Sequence, residues 1–209
     1  MAKHLLANTA STSVSFPDSG VTAVFVDTDE NLKTKDSSGY VKSLLTNFST
    51  VAQSIAAATR TYIAGSQIAV PPGGLQVGSM FRWTFNMTKT AAGTAASTFD
   101  IAIGTAGTTS DSAKFSFTKP AGTAVVDEAF VTITAVVRSI GTGGVISAEF
   151  TLIHSLQNTG HAVLPCVVLN SISSGFDMTV ANLFIGLCAT TGASDVITVE
   201  IVTAEAWNL

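Results

Sequence analysis

Three oxygen-bearing side chains near the start of the chain, Asp27, Asp29 and Asn31, have the spacing of the first three ligands in a calcium-binding loop. Such a loop needs glycine at its sixth position for a sharp turn and a bidentate glutamate at its twelfth. Leu32 and Ser38 occupy those two positions. The match fails where the geometry is most demanding, so the sequence predicts turn-forming side chains here and no metal site.

A second group of side chains with possible chemistry is formed by His154, His161 and Cys166. A zinc site needs three or four ligands in a tetrahedral arrangement, and no paired spacing such as CxxC is present. A Cys–His nucleophilic pair would also need an orienting group and an oxyanion site. We therefore predict strand-end histidines that bond to backbone or solvent, and we expect no metal and no cofactor.

Four carboxylates, Asp100, Asp111, Asp127 and Glu128, are scattered through the second half of the chain. A glycosidase would need two of them to face each other across a groove. Acids near turns are expected in any soluble β protein, and the Gly-rich stretch 104–110 lacks the lysine of a phosphate loop. The sequence therefore favours a protein that is not an enzyme.

The tryptophan and cysteine side chains have mainly structural interpretations. Trp83 alternates with other apolar residues, which favours core packing, whereas Trp207 near the C-terminus fits a sandwich plug or a subunit interface equally well. Cys166 and Cys188 both lie in apolar, strand-like runs. We expect both to be free, buried thiols.

The composition is unusually poor in charge for a soluble chain. Charged residues make up 11% of the 209 residues, the mean hydropathy is +0.45 and the net charge is −4. No cluster of Lys and Arg is present, which argues against nucleic acid as a partner. The apolar runs are too short for a membrane span or a signal peptide, so we expect synthesis in a cytoplasm. A neutral surface favours burial against other subunits.

The first 45 residues predict a polar arm followed by a small β element. Residues 1–20 have no periodicity and would be ordered only against another surface. Residues 21–45 read as three short strands with a turn at 36–39, too small to hold a core alone. The element must therefore dock elsewhere or pair with copies of itself.

Residues 46–60 are predicted to form one short helix, within a helix-and-linker segment, 46–74. Thr50 and Gln53 fit a capping box. A short bundle around an oligomer axis and a linker helix packed on the sandwich explain the pattern equally well. Six apolar residues have the spacing of a coiled-coil seam: Leu44, Phe48, Val51, Ile55, Ala58 and Tyr62.

Residues 75–209 predict an antiparallel β-sandwich or jelly roll. Period-two alternation recurs in short segments separated by Gly- or Thr-rich turns, and no βαβ pattern is present. The fold class is therefore all-β. The predicted strands lie at 81–87, 99–103, 115–117, 131–137, 146–154, 161–169, 181–189 and 196–203.

Several segments resemble structural proteins of tailed bacteriophages. The stretch 24–44, VFVDTDENLKTKDSSGYVKSL, resembles their N-terminal anchoring segment. The region 78–209 is similar to the jelly-roll head of head fibres and capsid decoration (cement) proteins, and of some tail fibres. It includes FDIAIGTAGTTSD, VRSIG and IGLCATTGASDVITV. The resemblance implies a homotrimer on the capsid or tail, without enzymatic activity.

We therefore expect a virion protein that decorates and stabilises a capsid and binds the major capsid protein through its N-terminal region. The alternatives are a tail fibre or receptor-binding protein whose jelly roll contacts a host surface glycan, and a carbohydrate-active enzyme on the same scaffold. The residues predicted to anchor the chain to the capsid are Phe25, Asp27, Asp29, Leu32, Lys33, Lys35 and Tyr40.

Overall fold

A computed structural model describes residues 9–26, 32–35, 37–39, 41–43, 47–55, 58–70, 74–192 and 197–209. In this part of the chain every regular element is a β-strand, and all pairings between strands are antiparallel. No helix in it is long and apolar enough to cross a membrane. The strands are Ala23–Val26 (β1), Leu32–Lys35 (β2), Val41–Ser43 (β3), Asn47–Ser49 (β4), Gln53–Ile55 (β5), Thr61–Tyr62 (β6), Ile68–Ala69 (β7), Met80–Lys89 (β8), Ser97–Gly104 (β9), Ser112–Lys119 (β10), Asp127–Ser139 (β11), Val145–His154 (β12), Cys166–Ile172 (β13), Phe184–Thr190 (β14) and Ile197–Trp207 (β15).

Two sheets form a β-sandwich, which confirms the predicted all-β class. The larger sheet has the order β13-β12-β11-β8-β15-β4, with β5 also on β15, and the smaller has the order β10-β9-β14-β6, with β7 also on β14. The alternation in β8 works as predicted: Phe81, Trp83, Phe85 and Met87 are buried, and the residues between them are not. The inner faces of both sheets therefore supply one apolar core.

The long strands pair in a nested order. The first of them, β8, pairs with the last, β15, and the second, β9, pairs with the penultimate, β14. Between these pairs, β11, β12 and β13 form a meander. Residues far apart in sequence therefore hold the centre of both sheets together.

The predicted small β element is present as a separate three-stranded sheet in the order β1-β2-β3. The arm before it lies along this sheet, because the Thr9 amide donates to the Val26 carbonyl. The Lys35 ammonium donates to the carbonyls of Ser11 (2.9 Å) and Val14 (2.6 Å). The same ammonium lies 4.6 Å from the centre of the Phe16 ring. The arm is thus ordered against its own sheet.

The predicted helix over 46–60 is wrong for the residues that the structure describes. In its place β4 and β5 pair with β15, and farther along β6 and β7 pair with β14. The Gln53 side chain does not cap a helix at Thr50. Its amide donates to the Ala64 carbonyl (2.8 Å) and accepts from the Ala64 amide (2.6 Å), as a backbone strand would. The segment 46–74 therefore contributes strands to both sheets.

The six residues that were predicted to form a coiled-coil seam therefore do not lie along one face. Phe48 and Val51 are both 70% exposed, whereas Ile55 is fully buried opposite Ile197. Ala58 lies in a turn with a positive φ of 54°, where a helix cannot continue. Tyr62 is half-buried in β6, and Leu44 lies outside the described residues. The coiled-coil geometry is wrong, and whether these residues meet another subunit stays a prediction.

Candidate functional site

A cluster of buried polar side chains closes one end of the sandwich core, and we call it the polar cap. Its members are the inward-facing residues at strand ends or in the adjoining loop: Lys89, Lys119, Asp127, His154 and His161. Each strand-end member continues the inward alternation of its strand past the last apolar residue. Strand pairing brings them together, since Asp127 lies opposite Lys89 and Ala129 lies opposite His154.

Asp127 is the anion at the centre of the polar cap. Its Oδ2 accepts from the His161 amide (2.7 Å) and lies 2.8 Å from Nδ1 of His154, while its Oδ1 accepts from the Glu128 amide (2.9 Å). The contact with His154 is short but not aligned as a hydrogen bond. Gly160 has φ +91°, and a Cβ there would collide with this carboxylate. Glycine is therefore required beside Asp127.

The two histidines of the polar cap differ in their surroundings. Nε2 of His154 lies 2.8 Å from the Leu164 carbonyl, which can only accept, so this nitrogen carries a proton. Both ring nitrogens of His161 lack a hydrogen-bond partner within the described chain. Burial lowers the pKa of His161 to about 4, and the nearby Lys119 and Lys89 lower it further against the opposing effect of Asp127. His161 is therefore neutral at pH 7.

The two lysines of the polar cap bind loop carbonyls. Lys89 donates to the carbonyls of Thr123 and Val125, both at 2.6 Å. Lys119 donates to the carbonyls of Pro120 (2.7 Å) and His161 (2.6 Å). These bonds fasten the loops at this end onto the core, which is a structural task.

The polar cap does not form the zinc site or the nucleophilic pair that His154, His161 and Cys166 would need. Cys166 lies opposite Ile153 on the outside of the larger sheet and is exposed, whereas both imidazoles point inward. The expectation that Cys166 is buried is therefore wrong. Across the described ranges no group of three His, Cys, Asp or Glu side chains is placed to hold a metal ion. The Asp27–Asn31 pattern lies outside those ranges.

A second buried ion pair ties the β9–β10 loop to the body of the sandwich. The Arg60 guanidinium contacts both carboxylate oxygens of Asp100, at 2.6 and 2.9 Å, and donates to the carbonyls of Thr109 (2.7 Å) and Asp111 (2.9 Å). The Asp111 carboxylate accepts from the amides of Ala106 and Gly107. Both acids are therefore engaged within the chain and do not face each other across a groove.

Two side chains near this ion pair, Cys188 and Tyr62, are kept protonated by burial. Burial raises the pKa of the Cys188 thiol to about 12, and Asp100 contributes to that shift. Burial also raises the pKa of Tyr62, whose hydroxyl has no hydrogen-bond partner in the described chain. Cys188 is buried and free, as predicted. A protonated thiol of this kind is a poor nucleophile.

The predicted anchoring residues of the N-terminal sheet are placed unevenly. Phe25 is buried within the element, and Lys35 is held by the arm on the same face of the sheet. Lys33 is half-buried opposite Phe25, and Leu32 pairs with Val26. These positions result from the arm, which covers that face. Asp27, Asp29 and Tyr40 lie outside the described residues.

Three apolar side chains of the N-terminal element are exposed instead: Phe16 (67%), Val21 (53%) and Val24 (52%). None of the three is among the anchoring residues predicted from the sequence. Phe16 and Val21 flank the Pro17–Gly20 turn, and Val24 is on the face of β1 opposite Phe25. Exposed apolar residues on so small an element are the usual mark of a partner surface.

The outer face of the larger sheet is mostly neutral. A row of threonines crosses it by strand register: Thr151, Thr132, Thr84 and Thr203. Exposed apolar side chains lie around the row, namely Phe130, Ile153, Val168, Ile172 and Ile201. Trp207 is half-buried on this face with the Arg82 guanidinium 4.8 Å from its ring, while Trp83 is in the core as predicted and donates to the Ser66 carbonyl.

A depression of about 340 Å³ lies between the β9–β10 and β13–β14 loops. Asp177, Lys114 and Phe176 line it, with the Lys114 ammonium 5.6 Å from the centre of the Phe176 ring. The Asp177 carboxylate accepts from the amide and hydroxyl of Thr179, which lowers its pKa. The depression offers exposed polar groups beside an aromatic ring.

No protein-family model and no curated protein matches the chain. Among solved structures, the chain is similar to a lectin from Bauhinia forficata in complex with GalNAc, at 10% identity and a TM-score of 0.30, over 90% of this chain and 91% of that one. It is also similar to a legume lectin-like domain from Entamoeba histolytica, at 11% identity and a TM-score of 0.24, over 78% and 90% of the two chains. At these TM-scores neither likeness carries an argument, and the β-sandwich rests on the strand pairing of the chain itself.

Proposed function

We propose that the chain is a structural virion protein of a tailed bacteriophage that decorates the capsid. In this proposal the N-terminal element, residues 1–45, binds the major capsid protein, and the sandwich, a jelly roll in the resembling proteins, projects outward. The chain acts as a homo-oligomer on the particle and carries no catalytic activity. It is made in the bacterial cytoplasm and joins the virion there.

The observation that carries this proposal is the exposure of apolar side chains on an N-terminal sheet with its own ordered arm. Phe16 and Val24 are more than half exposed, although the element has little core of its own. The arm leaves these side chains on the surface while Lys35 fixes its path. A protein that binds only the assembled shell stabilises that shell by mass action.

The chemistry of the buried polar groups supports a structural task. Asp100, Asp111 and Asp127 each accept hydrogen bonds from other groups of the chain, and the buried thiol of Cys188 is held protonated. These groups fasten loops to the core. A carbohydrate-active site would instead present two carboxyls to a groove.

The proposal is tested by sedimenting purified chain with capsids assembled from the major capsid protein of the same genome. We expect the chain to pellet with capsids, and Val24→Asp to abolish pelleting because it places a charge in the contact. The matched control is Val163→Asp, a similarly exposed apolar residue in the loop between β12 and β13, which should pellet like the native chain. Absence of the native chain from the pellet, or equal loss in both variants, would refute N-terminal docking.

A tail-fibre or receptor-binding role is the second candidate, and the depression beside Phe176 and Asp177 favours it. The exposed carboxylate of Asp177 and the nearby Lys114 ammonium are groups that can bind sugar hydroxyls. Binding to an array of bacterial surface glycans that disappears in Asp177→Ala would support this role. Glycan binding without capsid binding would replace the first proposal with the second.

A further inference from the structure

The outward-facing side chains of β11 form a pattern that is complementary to itself. From one end of the strand to the other they are Glu128, Phe130, Thr132, Thr134, Val136 and Arg138. When this strand is laid antiparallel over a copy of itself about Ile133, the acid meets the base. Phe130 of one copy then faces Val136 of the other, and Thr132 faces Thr134 in the same way.

The two charges at the ends of this pattern are unsatisfied within the chain. Glu128 and Arg138 are exposed, and in the described ranges neither side chain has an ion-pair or hydrogen-bond partner. Of the other charges on this face, Arg82 pairs with Glu205 and Glu149 accepts from a threonine hydroxyl, whereas Glu200 is exposed beside the same depression as Glu128. The unpaired acid and base are therefore available to a partner of matching pattern.

We propose that the outer face of the larger sheet is a two-fold interface with a second copy of this chain. The axis lies in the plane of the interface, crosses the strands at right angles and passes Ile133, so that β11 lies antiparallel over its counterpart. Glu128 of each copy then faces Arg138 of the other. A depression of about 440 Å³ beside Glu128 gives the guanidinium of the second copy a place to enter.

The neighbouring strands fit the same axis. By register Glu149 is beside Thr134 and Thr151 is beside Thr132, so Glu149 of one copy lies over Thr151 of the other. On β15, Glu205 lies over Thr203 in the same way. No like charges face each other in these columns. An axis along the strands would instead place Glu128 over Glu128, which like-charge repulsion disfavours.

The face is large enough for a stable contact. The five long strands β13, β12, β11, β8 and β15 average about ten residues and span a projected area of about 800 Å², from the usual strand spacing and rise per residue. A standard interface buries about 800 Å² per partner. The exposed apolar residues Phe130, Ile153 and Ile201 would supply its buried centre, and the two Glu–Arg pairs would fix the register. This inference does not depend on capsid binding.

Sedimentation equilibrium of the purified chain at micromolar concentration tests the interface. We expect a dimer, and we expect Glu128→Arg alone and Arg138→Glu alone to weaken it at least about tenfold, because each places like charges together twice. The double variant Glu128→Arg/Arg138→Glu exchanges the charges and should restore the native affinity. Asp18→Arg, a reversal on an exposed acid of the N-terminal element, is the control and should leave the dimer unchanged.

Several outcomes would overturn the proposal. A native chain that is monomeric, or trimeric, at these concentrations contradicts a two-fold contact. A dimer that both single reversals leave intact lies on another surface, such as a sheet edge. A double variant no tighter than the single variants contradicts the pairing of Glu128 with Arg138. All three substituted sites are exposed, so thermal unfolding of the variants should match that of the native chain and separate loss of contact from loss of fold.

Discussion

The Asp127 carboxylate and the His154 imidazole are in close contact in a place from which solvent is excluded. Oδ2 and Nδ1 are 2.8 Å apart, and the two side chains are only 2% and 0% exposed. A buried charge is costly when its partner is removed, even where the pair as a whole adds little to stability. Most of the polar cap depends on this pair, because the same carboxylate also holds the His161 amide.

Asp127→Asn is expected to destabilise the chain by about 3–5 kcal/mol, the usual cost of breaking a buried pair by removing one partner. Urea unfolding at pH 7 measures this change. Glu200→Gln is the matched control, since that carboxylate is exposed on β15 and should change the free energy of unfolding by less than about 0.5 kcal/mol. Equal effects of the two substitutions would mean that the polar cap is not important for stability.

His161 is expected to make the chain acid-sensitive. Its pKa falls from 6.5 in the unfolded chain to about 4 in the folded one. Between pH 6.5 and pH 4, His161 is protonated in the unfolded chain but not in the folded one. The free energy of unfolding is therefore full above pH 6.5 and decreases as the pH falls toward 4. The loss is on the order of 3 kcal/mol.

Urea unfolding at a series of pH values checks this dependence. His161→Met keeps a similar volume, leaves no unpaired buried nitrogen and should flatten the profile between pH 6.5 and 4. Asp127, His154, Lys89 and Lys119 face the same space and are kept in both proteins, so the difference between the two profiles reports on His161. An unchanged slope in the variant would contradict the assignment.

Arg60→Met is expected to cost about 3 kcal/mol, because it leaves the Asp100 carboxylate buried without its counter-charge. Arg82→Met is the internal comparison. Its pair with Glu205 has the same 2.6 Å contact, but the side chains are 45% and 29% exposed, so the expected loss is about 0–1 kcal/mol. Thermal unfolding of both variants checks the ranking, and a larger loss for Arg82→Met would reverse the argument from burial.

Lys35→Met is expected to release the N-terminal arm from its sheet. The substitution removes two hydrogen bonds to the carbonyls of Ser11 and Val14 while it keeps the length of the side chain. Limited proteolysis should then cut within 9–16 several times faster than in the native chain, with unchanged cleavage of the sandwich. Asp18→Asn, which removes an exposed charge from the same element, should not accelerate cleavage.

The two-residue alternation of apolar side chains in the strands made much of the structure predictable. The alternation through Phe81 and Met87 correctly predicted which side of β8 faces the core. The same parity continues to Lys89, and Phe117 leads to Lys119 in the same way. Continuing the two-residue alternation of each strand to the next position would have predicted that these lysines are buried. A charged residue at a strand end is, however, normally expected to face solvent.

The segment after residue 46 could not be predicted from local pattern. Phe48, Val51 and Ile55 have helical spacing, yet pairing with β15 determines their structure, and that strand is about 150 residues later in the chain. The partners of Asp100 were hidden for the same reason. The pairing of β6 with β14 brings Arg60 to Asp100, and no sequence motif predicts this pairing.

The nested pairing of β8 with β15 has a consequence for how the protein forms. Met80 lies opposite Trp207, so the central ladder of the larger sheet cannot close until β15 has left the ribosome. High contact order of this kind slows folding and leaves strand edges open for longer. Truncated chains that lack β15 should aggregate, because β8 then has an unpaired edge.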